Sequence, residues 1–289
     1  MSSISAGEVV VHHIVEHEGA WFDPLTLFDG LSPDVLDENR AWMEERGAIC
    51  PTTGKLILCV QSYLVEAGGR KVLVDTGVGN HKARPGQPFW SQSTSSTYLD
   101  GLGRLGFGVE DIDVVICTHL HLDHVGWNTR LQDGCWVPTF PNATYIFSER
   151  EYAYWDERNR ASPIAAFGDS ILPVVEAGKA RLVGSDYRLD ETISLLPTPG
   201  HTVDHLAVEI RSNDALAVIA GDVFHSPLQI KYPDLALSID YDKKLSSITR
   251  RSCLSRWFDE RAVLFPNHFP PKSAINITKD NDGFGYVHA

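Results

Sequence analysis

The chain has 289 residues, a formal net charge of −13 at pH 7 and a hydrophobic content of 43%. These values are ordinary for a globular protein and argue against general binding to nucleic acid, which needs clustered Lys and Arg. No stretch approaches the 18 apolar residues that a membrane-spanning helix requires, and the N-terminus lacks the pattern of a signal peptide. We therefore expect a cytoplasmic protein with neither nucleic-acid nor membrane partners.

The first part of the chain predicts an irregular segment followed by a hairpin. Residues 21–55 mix aromatic and turn residues with a helical patch at residues 34–46, and we interpret them as an insertion that forms a lid over the body of the fold. Two strands follow around the turn at residues 67–70, and the second ends at Asp75. Polar residues 81–97 predict a surface loop, and residues 95–105 predict a helix.

The rest of the chain predicts short apolar strands interspersed with helices. The predicted strands are residues 112–117, 144–147, 193–196, 206–210, 216–220 and 262–265. Helices are predicted at residues 149–158 and 243–258. This pattern, without a break in composition, predicts a single α/β domain over residues 1–289. Cys59 and Cys117 lie within apolar runs, which predicts buried, reduced thiols.

A cluster of ligand-type residues follows the strand at residues 112–117. It contains His119, His121, Asp123 and His124. Zinc and similar metals take neutral imidazole nitrogen and carboxylate oxygen as ligands. Residues i and i+2 of an extended segment point to the same side, so His119 and His121 can bind one ion together. Asp123 and His124 follow as the chain turns and can reach a second ion.

Three further residues of this type, His201, Asp222 and His268, each follow a predicted strand. Loops at strand ends are where a rigid sheet can direct several ligands at one point. A single His after a strand is usually structural, so the prediction depends on the whole set in this order. Seven ligand-type residues are too many for one tetrahedral ion, so we predict two divalent metal ions, most simply zinc.

These motifs together resemble the metallo-β-lactamase superfamily. The resemblance rests on HLHLDH, on the later GH, GD and NH dipeptides, and on the DTG that begins at Asp75, and it covers residues 61–268. It implies an αββα sandwich, with the active site at one edge between the two sheets. Residues 21–55 would then lie over that active site.

The resemblance also implies a role for each residue. The first metal would be bound by His119, His121 and His201, and the second by Asp123, His124 and His268. Asp222 would bridge both metals, and Asp75 would orient a ligand. His205 would support the site rather than bind metal.

The superfamily contains many reactions, so the fold alone does not name the substrate. The bridging Asp222 separates this chain from zinc β-lactamases and from mononuclear iron oxidoreductases, a rival class. The remaining resemblance is to N-acyl-homoserine lactonases and methyl parathion hydrolase. We expect a hydroxide shared by two metals to cleave a lactone or carboxylic ester with an apolar portion. Organophosphate triester hydrolysis and hydrolytic dehalogenation are the alternatives.

Two residues are predicted to act in catalysis. Asp123 would steer the hydroxide and carry a proton to the leaving group. Homoserine lactonases carry a substrate-binding Tyr three residues after the bridging Asp, where this chain has His225. His225 would donate a hydrogen bond to the substrate, protonate the leaving oxygen, or support the site without touching the substrate.

The substrate is expected to be a small molecule, and a homodimer remains open. Aromatic residues outside the predicted strands would line an apolar pocket: Trp21, Phe22, Phe28, Trp90, Trp127, Trp136 and Phe224. Arg84 and Lys231 are isolated cations in the sequence, which argues against a strongly anionic substrate.

Overall fold

The computed structural model describes residues 3–270, 274–280 and 283–289. The chain divides into two compact units: the first joins Met1–Glu16 to Val60–Tyr187, and the second joins His17–Cys59 to Arg188–Ala289. No helix among the described residues is both long and apolar enough to cross a bilayer. The interpretation of residues 1–289 as one domain, with residues 21–55 as a lid, stays a prediction.

Strands alternate with helices along the described residues, which confirms the predicted α/β class. The strands are β1 (Ser3–Ala6), β2 (Val9–Phe22), β3 (Phe28–Asp29), β4 (Leu56–Ala67), β5 (Arg70–Val74), β6 (Val114–Ile116), β7 (Thr129–Gln132), β8 (Cys135–Pro138), β9 (Thr144–Ser148), β10 (Ala180–Val183), β11 (Ile193–Pro197), β12 (Leu206–Ser212), β13 (Ala215–Gly221), β14 (Ala236–Leu237), β15 (Val263–Pro266), β16 (Ile275–Asp280) and β17 (Gly283–His288). The helices are α1 (Pro24–Leu27), α2 (Pro33–Glu45), α3 (Thr97–Arg104), α4 (Glu149–Ala161), α5 (Ala165–Ser170), α6 (Leu172–Glu176), α7 (Leu228–Lys231) and α8 (Lys243–Asp259).

One sheet of the described residues has seven strands in the order β1-β2-β4-β5-β6-β9-β10. Strands β5 and β6 are parallel, with Val74 opposite Ile116. Their carboxyl ends therefore lie at the same edge of the sheet. Asp75 directly follows β5 and Cys117 directly follows β6, so the DTG loop and the HLHLDH loop begin side by side. All residues of β6 are buried, as its β-branched run predicts.

The second unit contains a six-stranded sheet in the order β11-β12-β13-β15-β16-β17. Strand β12 is antiparallel to both β11 and β13, and β13 is parallel to β15, with Gly221 opposite Pro266. Strands β11, β13 and β15 therefore run in the same direction. The loops after their carboxyl ends carry His201, Asp222 and His268, which places these three residues at one edge of this sheet.

Each unit has its own apolar core, and three aromatic residues predicted to line a pocket belong to these cores instead. Trp127 packs in the core of the first unit, and Phe28 and Phe224 pack in two clusters of the second. Trp21 and Phe22 end the long strand β2 rather than lying in a loop. The prediction of a pocket lined by loop aromatics is therefore wrong for Phe28, Trp127 and Phe224, because these side chains are buried in the apolar cores.

The loop at residues 81–97 is present as predicted, but it is anchored in the interior. Lys82 and Arg84 are buried, and Arg84 Nη1 donates to Asp169 Oδ2 at 2.7 Å. Lys82 Nζ donates to Thr129 Oγ1 at 2.7 Å. Arg84, an isolated cation in the sequence, is therefore paired with a carboxylate from another part of the chain.

Candidate metal centre

The HLHLDH loop of the first unit brings three imidazoles into contact. The ring centroid of His119 lies 4.6 Å from that of His121 and 4.1 Å from that of His124. His119 and His124 are buried, whereas His121 and Asp123 are partly exposed. Leu120, between the first two ligands, is buried in the core of this unit and anchors the loop. The loop therefore presents clustered imidazoles, with a carboxylate at its more accessible end.

Asp75 holds this loop from behind through a fully buried carboxylate. Its Oδ1 accepts from the backbone N of Thr118 at 2.8 Å, and its Oδ2 accepts from Thr118 Oγ1 at 2.9 Å. His124 Nδ1 donates to the same Oδ2 at 2.9 Å, since a carboxylate can only accept. The Thr118 hydroxyl in turn lies 3.1 Å from His119 Nδ1. Asp75 thus orients His124 directly and His119 through Thr118, as predicted for a ligand-orienting residue.

The loops after β5 and β6 are packed backbone to backbone. Gly126 N donates to Gly77 O at 2.7 Å, and a Cβ on Gly126 would overlap the carbonyl of Val78. The buried carboxylate of Glu16 accepts from Val78 N at 2.6 Å and from the indole of Trp127 at 2.7 Å. Burial raises the pKa of Glu16 to about 7, although these donors oppose the shift. Glu16 therefore links the loop after β5, through Val78, to the loop after β6, through Trp127.

In the second unit, His201 lies between two carboxylates. His201 Nδ1 donates to Asp240 Oδ1 at 2.7 Å, and His201 Nε2 lies 3.2 Å from Asp222 Oδ2. Burial disfavours the charged imidazole, but hydrogen bonds to Asp222 and Asp240 outweigh it and raise the pKa of His201 to about 9. This buried imidazole therefore lies where the structure favours a positive charge.

The carboxylate of Asp222 also reaches His225 and His268. Its Oδ1 lies 3.1 Å from His268 Nε2, and its Oδ2 lies 3.0 Å from His225 Nε2. His268 Nδ1 donates to the carbonyl of Cys59 at 2.8 Å, which leaves its Nε2 directed at Asp222. The rings of His225 and His268 stack with centroids 4.7 Å apart. Asp222 is therefore the centre of the cluster in this unit.

His225 is buried and has a different environment from the other histidines. Burial lowers its pKa to about 4, so its imidazole is neutral near pH 7. Its backbone N donates to Gln229 Oε1 at 2.7 Å, which fixes the main chain after Asp222. Its Nδ1 has no hydrogen-bond partner among the residues that the structure describes. One ring nitrogen therefore contacts Asp222, and the other can serve a further contact.

His205 is a supporting residue, as predicted. Its Nε2 accepts from the backbone N of Asp222 at 2.9 Å, and its Nδ1 lies 2.7 Å from Thr198 Oγ1. Both ring nitrogens are used within the protein, which excludes this imidazole as a metal ligand. Instead it fixes the main chain at Asp222.

The seven predicted ligands belong to groups of His and Asp side chains that could hold a metal ion. Within the described residues, two groups have donor atoms within 4.8 Å of one another: His119, His121, His201 and Asp222, and Asp123, His124 and His268. A third group consists of Asp222, His225 and His268. In His124, His201 and His268, Nδ1 is bound to a protein oxygen, so Nε2 is available to a metal. Imidazole nitrogen and carboxylate oxygen fit zinc and related divalent ions.

Comparisons with known proteins decide the family. The family model described as the metallo-beta-lactamase superfamily matches residues 60–268, a stretch that contains all seven predicted ligands. The chain belongs to the metallo-beta-lactamase superfamily. This confirms the fold predicted from the sequence motifs.

Superfamily members similar to this chain include lactonases. The N-acyl homoserine lactonase AiiA of Bacillus thuringiensis subsp. kurstaki is 27% identical over 235 residues, which cover 75% of this chain and 84% of the relative. The dizinc quorum-quenching lactonase AidC, solved with its product N-hexnoyl-L-homoserine, has a TM-score of 0.76 at 20% identity. The match covers 100% of this chain and 97% of the AidC chain. The hydrolase AbOPH has a TM-score of 0.82 at 20% identity, and the match covers 99% of this chain and 96% of the AbOPH chain. These relationships support a metal-dependent hydrolase related to lactonases.

Sequence reasoning missed two buried carboxylates of this superfamily member. Asp240 contacts His201 from 39 residues away along the chain, and Glu16 contacts Val78 from 62 residues away. Neither lies in a motif, and Glu16 belongs to a stretch that was assigned no role. The β-branched residues of the stretch VVVHHIV, at Val9–Val15, are the sequence signal that could have indicated strand β2.

Proposed function

We propose that the chain is a binuclear metal-dependent hydrolase. The observation that carries the proposal is the carboxylate of Asp222, whose Oδ2 lies 3.2 Å from His201 Nε2 and whose Oδ1 lies 3.1 Å from His268 Nε2. A carboxylate whose two oxygens face two separate imidazoles suits a bridge between two ions. Asp222 would therefore be shared by both ions.

The remaining donors divide between the two ions. His119, His121 and His201 would hold the first, and Asp123, His124 and His268 would hold the second. When bound, two divalent ions, most simply zinc, supply Lewis acidity that lowers the pKa of water and polarises a carbonyl.

The chain's own residues then orient the reactants and move the proton. Asp123 is a partly exposed acid of the HLHLDH loop, so its carboxylate can take a proton from the attacking water and pass it to the leaving oxygen. The hydrogen bonds of Asp75, Asp240 and the Cys59 carbonyl keep three imidazoles in fixed orientations, which reduces reorganisation during the reaction.

We propose lactones or carboxylic esters with an apolar portion as the substrate class. Support comes from the lactonase relatives, which match most of this chain at 26–27% identity. His225 occupies the position where homoserine lactonases carry a Tyr, so the proposal covers lactones as a class rather than homoserine lactones alone. His225 itself would orient Asp222 through the 3.0 Å contact of its Nε2.

The test combines metal analysis with a substrate screen. We expect about two equivalents of divalent metal per chain, and metal-dependent turnover of acyl lactones of graded chain length and of aryl esters. A neutral phosphotriester tests the alternative, and a phosphate monoester and an oligonucleotide serve as anionic controls. Full activity at one equivalent would exclude the binuclear centre, whereas preference for the phosphate monoester or the oligonucleotide would exclude only the substrate class.

A further inference from the structure

The loop that carries His201 is built against the start of helix α8. A Cβ on Gly200, whose φ is +128°, would overlap the backbone of Ser246 in the first turn of that helix. Thr249 Oγ1 donates to the carbonyl of Pro199 at 2.7 Å. Tyr241 N donates to the carbonyl of His201 at 3.0 Å. Residues 199–201 are therefore fixed on α8 and on the segment that precedes it.

Asp240 lies in that preceding segment, and its carboxylate is fully engaged. Its side chain is 1% exposed, with Oδ1 2.7 Å from His201 Nδ1. Its Oδ2 accepts from the backbone N of Leu237 at 2.9 Å. Although burial raises the pKa of this carboxyl, His201 and the nearby hydroxyl of Ser246 hold it below its ordinary value. The carboxylate therefore has one orientation, and it imposes that orientation on the imidazole of His201.

Arg250 extends this arrangement along α8. Its Nη2 donates to Ser246 Oγ at 2.9 Å, and its Nε donates to the carbonyl of Val223 at 2.8 Å. Val223 directly follows Asp222. One buried guanidinium therefore supports Asp240 through Ser246 and also holds the main chain next to Asp222.

We propose that Asp240 is a positioning residue for the metal held by His201, and that Ser246 and Arg250 of α8 hold Asp240 in place. This inference rests on the proposed function. An acceptor at Nδ1 fixes the tautomer, makes Nε2 the metal-binding nitrogen and raises its basicity. Loss of such a partner typically weakens metal binding by about ten- to a hundredfold.

The test measures metal affinity by competition with a chelator, without reference to activity. Asp240→Asn keeps the size of the side chain and removes its charge. We expect one metal equivalent to bind about ten- to a hundredfold more weakly and the other to be unchanged. His201→Ala identifies which equivalent depends on His201. The matched control is Asp259→Asn, at the exposed far end of α8, which should bind both equivalents as the wild type does.

Failure of the inference can be told apart from failure of the proposed function. A wild-type protein that takes up fewer than two equivalents would contradict the binuclear centre. Wild-type affinity for both equivalents in a folded Asp240→Asn protein would overturn the role of Asp240 alone. If that variant does not fold, Ser246→Ala replaces it and should weaken the same equivalent by about two- to tenfold through the loss of one hydrogen bond. Unchanged affinity in Ser246→Ala would then overturn the inference.

Discussion

In each of the two units a buried aspartate orients a histidine, but the two aspartates lie in different kinds of chain segment. In the first unit, Asp75 accepts from His124 Nδ1 at 2.9 Å, and in the second, Asp240 accepts from His201 Nδ1 at 2.7 Å. Asp75 directly follows a strand whose parallel neighbour leads into the histidine loop. Asp240 is delivered by the segment before a helix. The sequence therefore indicates Asp75 through the motif at the end of its strand, whereas the role of Asp240, which lies before a helix, can be recognised only in the folded structure.

The two carboxylates also differ in how much local structure depends on them. Asp75 adopts a left-handed φ of +58°, which costs a non-glycine residue some free energy. Two hydrogen bonds from Thr118 and one from His124 hold it there. Asp240 is not among the residues with positive φ in the described chain. Asp75 therefore accepts three hydrogen bonds at a strained main-chain position, whereas Asp240 accepts from His201 and from the backbone N of Leu237 without such strain.

The largest expected effect comes from removing Asp222, the residue that we propose to be shared by both ions. Asp222→Ala should weaken both metal equivalents and lower kcat/KM by roughly a thousandfold or more, at or beyond the upper end of what a single electrostatic contact supplies. His268→Ala, as the matched comparison, should weaken mainly one equivalent. Metal titration with activity measured in parallel checks this. Two tightly bound equivalents in Asp222→Ala would rule out the bridge.

A second experiment sets the two supports against each other. Asp75→Asn should weaken the equivalent held by His124 by about ten- to a hundredfold, and the equivalent held by His119 less, because that contact runs through Thr118. It should also lower the free energy of unfolding of the metal-free protein by about 1–3 kcal/mol, because the amide cannot accept from all three donors. Asp240→Asn should also weaken metal binding, but it should lower the free energy of unfolding by less than Asp75→Asn does. Denaturant unfolding of both metal-free variants measures the difference, and equal losses would contradict the contrast drawn between Asp75 and Asp240.

The sequence predicts most of the elements that carry the site. Each strand and helix predicted from the apolar pattern is present, with ends shifted by up to three residues. The assignment of the seven residues as metal ligands stays a prediction; it depends on loops that follow strands, and parallel strands end at a common edge. Strand β2 was missed because its polar HHIVEHE stretch resembles a solvated tail, although Glu16 within it is buried.

The supporting contacts could not be predicted, because they depend on which distant segments the fold brings together. No motif surrounds Asp240 in the sequence. Its neighbours Ile239 and Tyr241 are 61% and 56% exposed, so Asp240 is a buried acid within an otherwise exposed segment. The aromatic residues were misjudged for the same reason. Phe28 and Phe224 lie outside the predicted strands, yet the fold buries both in apolar clusters.

A third experiment concerns His225, which belongs to neither support. Its Nε2 contacts Asp222 Oδ2 at 3.0 Å, so His225→Ala should lower kcat/KM by roughly ten- to a hundredfold. Two variants separate its two nitrogens: the amide of Gln can replace Nε2, and the amide of Asn can replace Nδ1. If His225 acts by holding Asp222, His225→Gln should recover activity and metal affinity while His225→Asn should not. Recovery in His225→Asn alone would instead show that Nδ1 makes the important contact, and would make His225 a residue that touches the substrate.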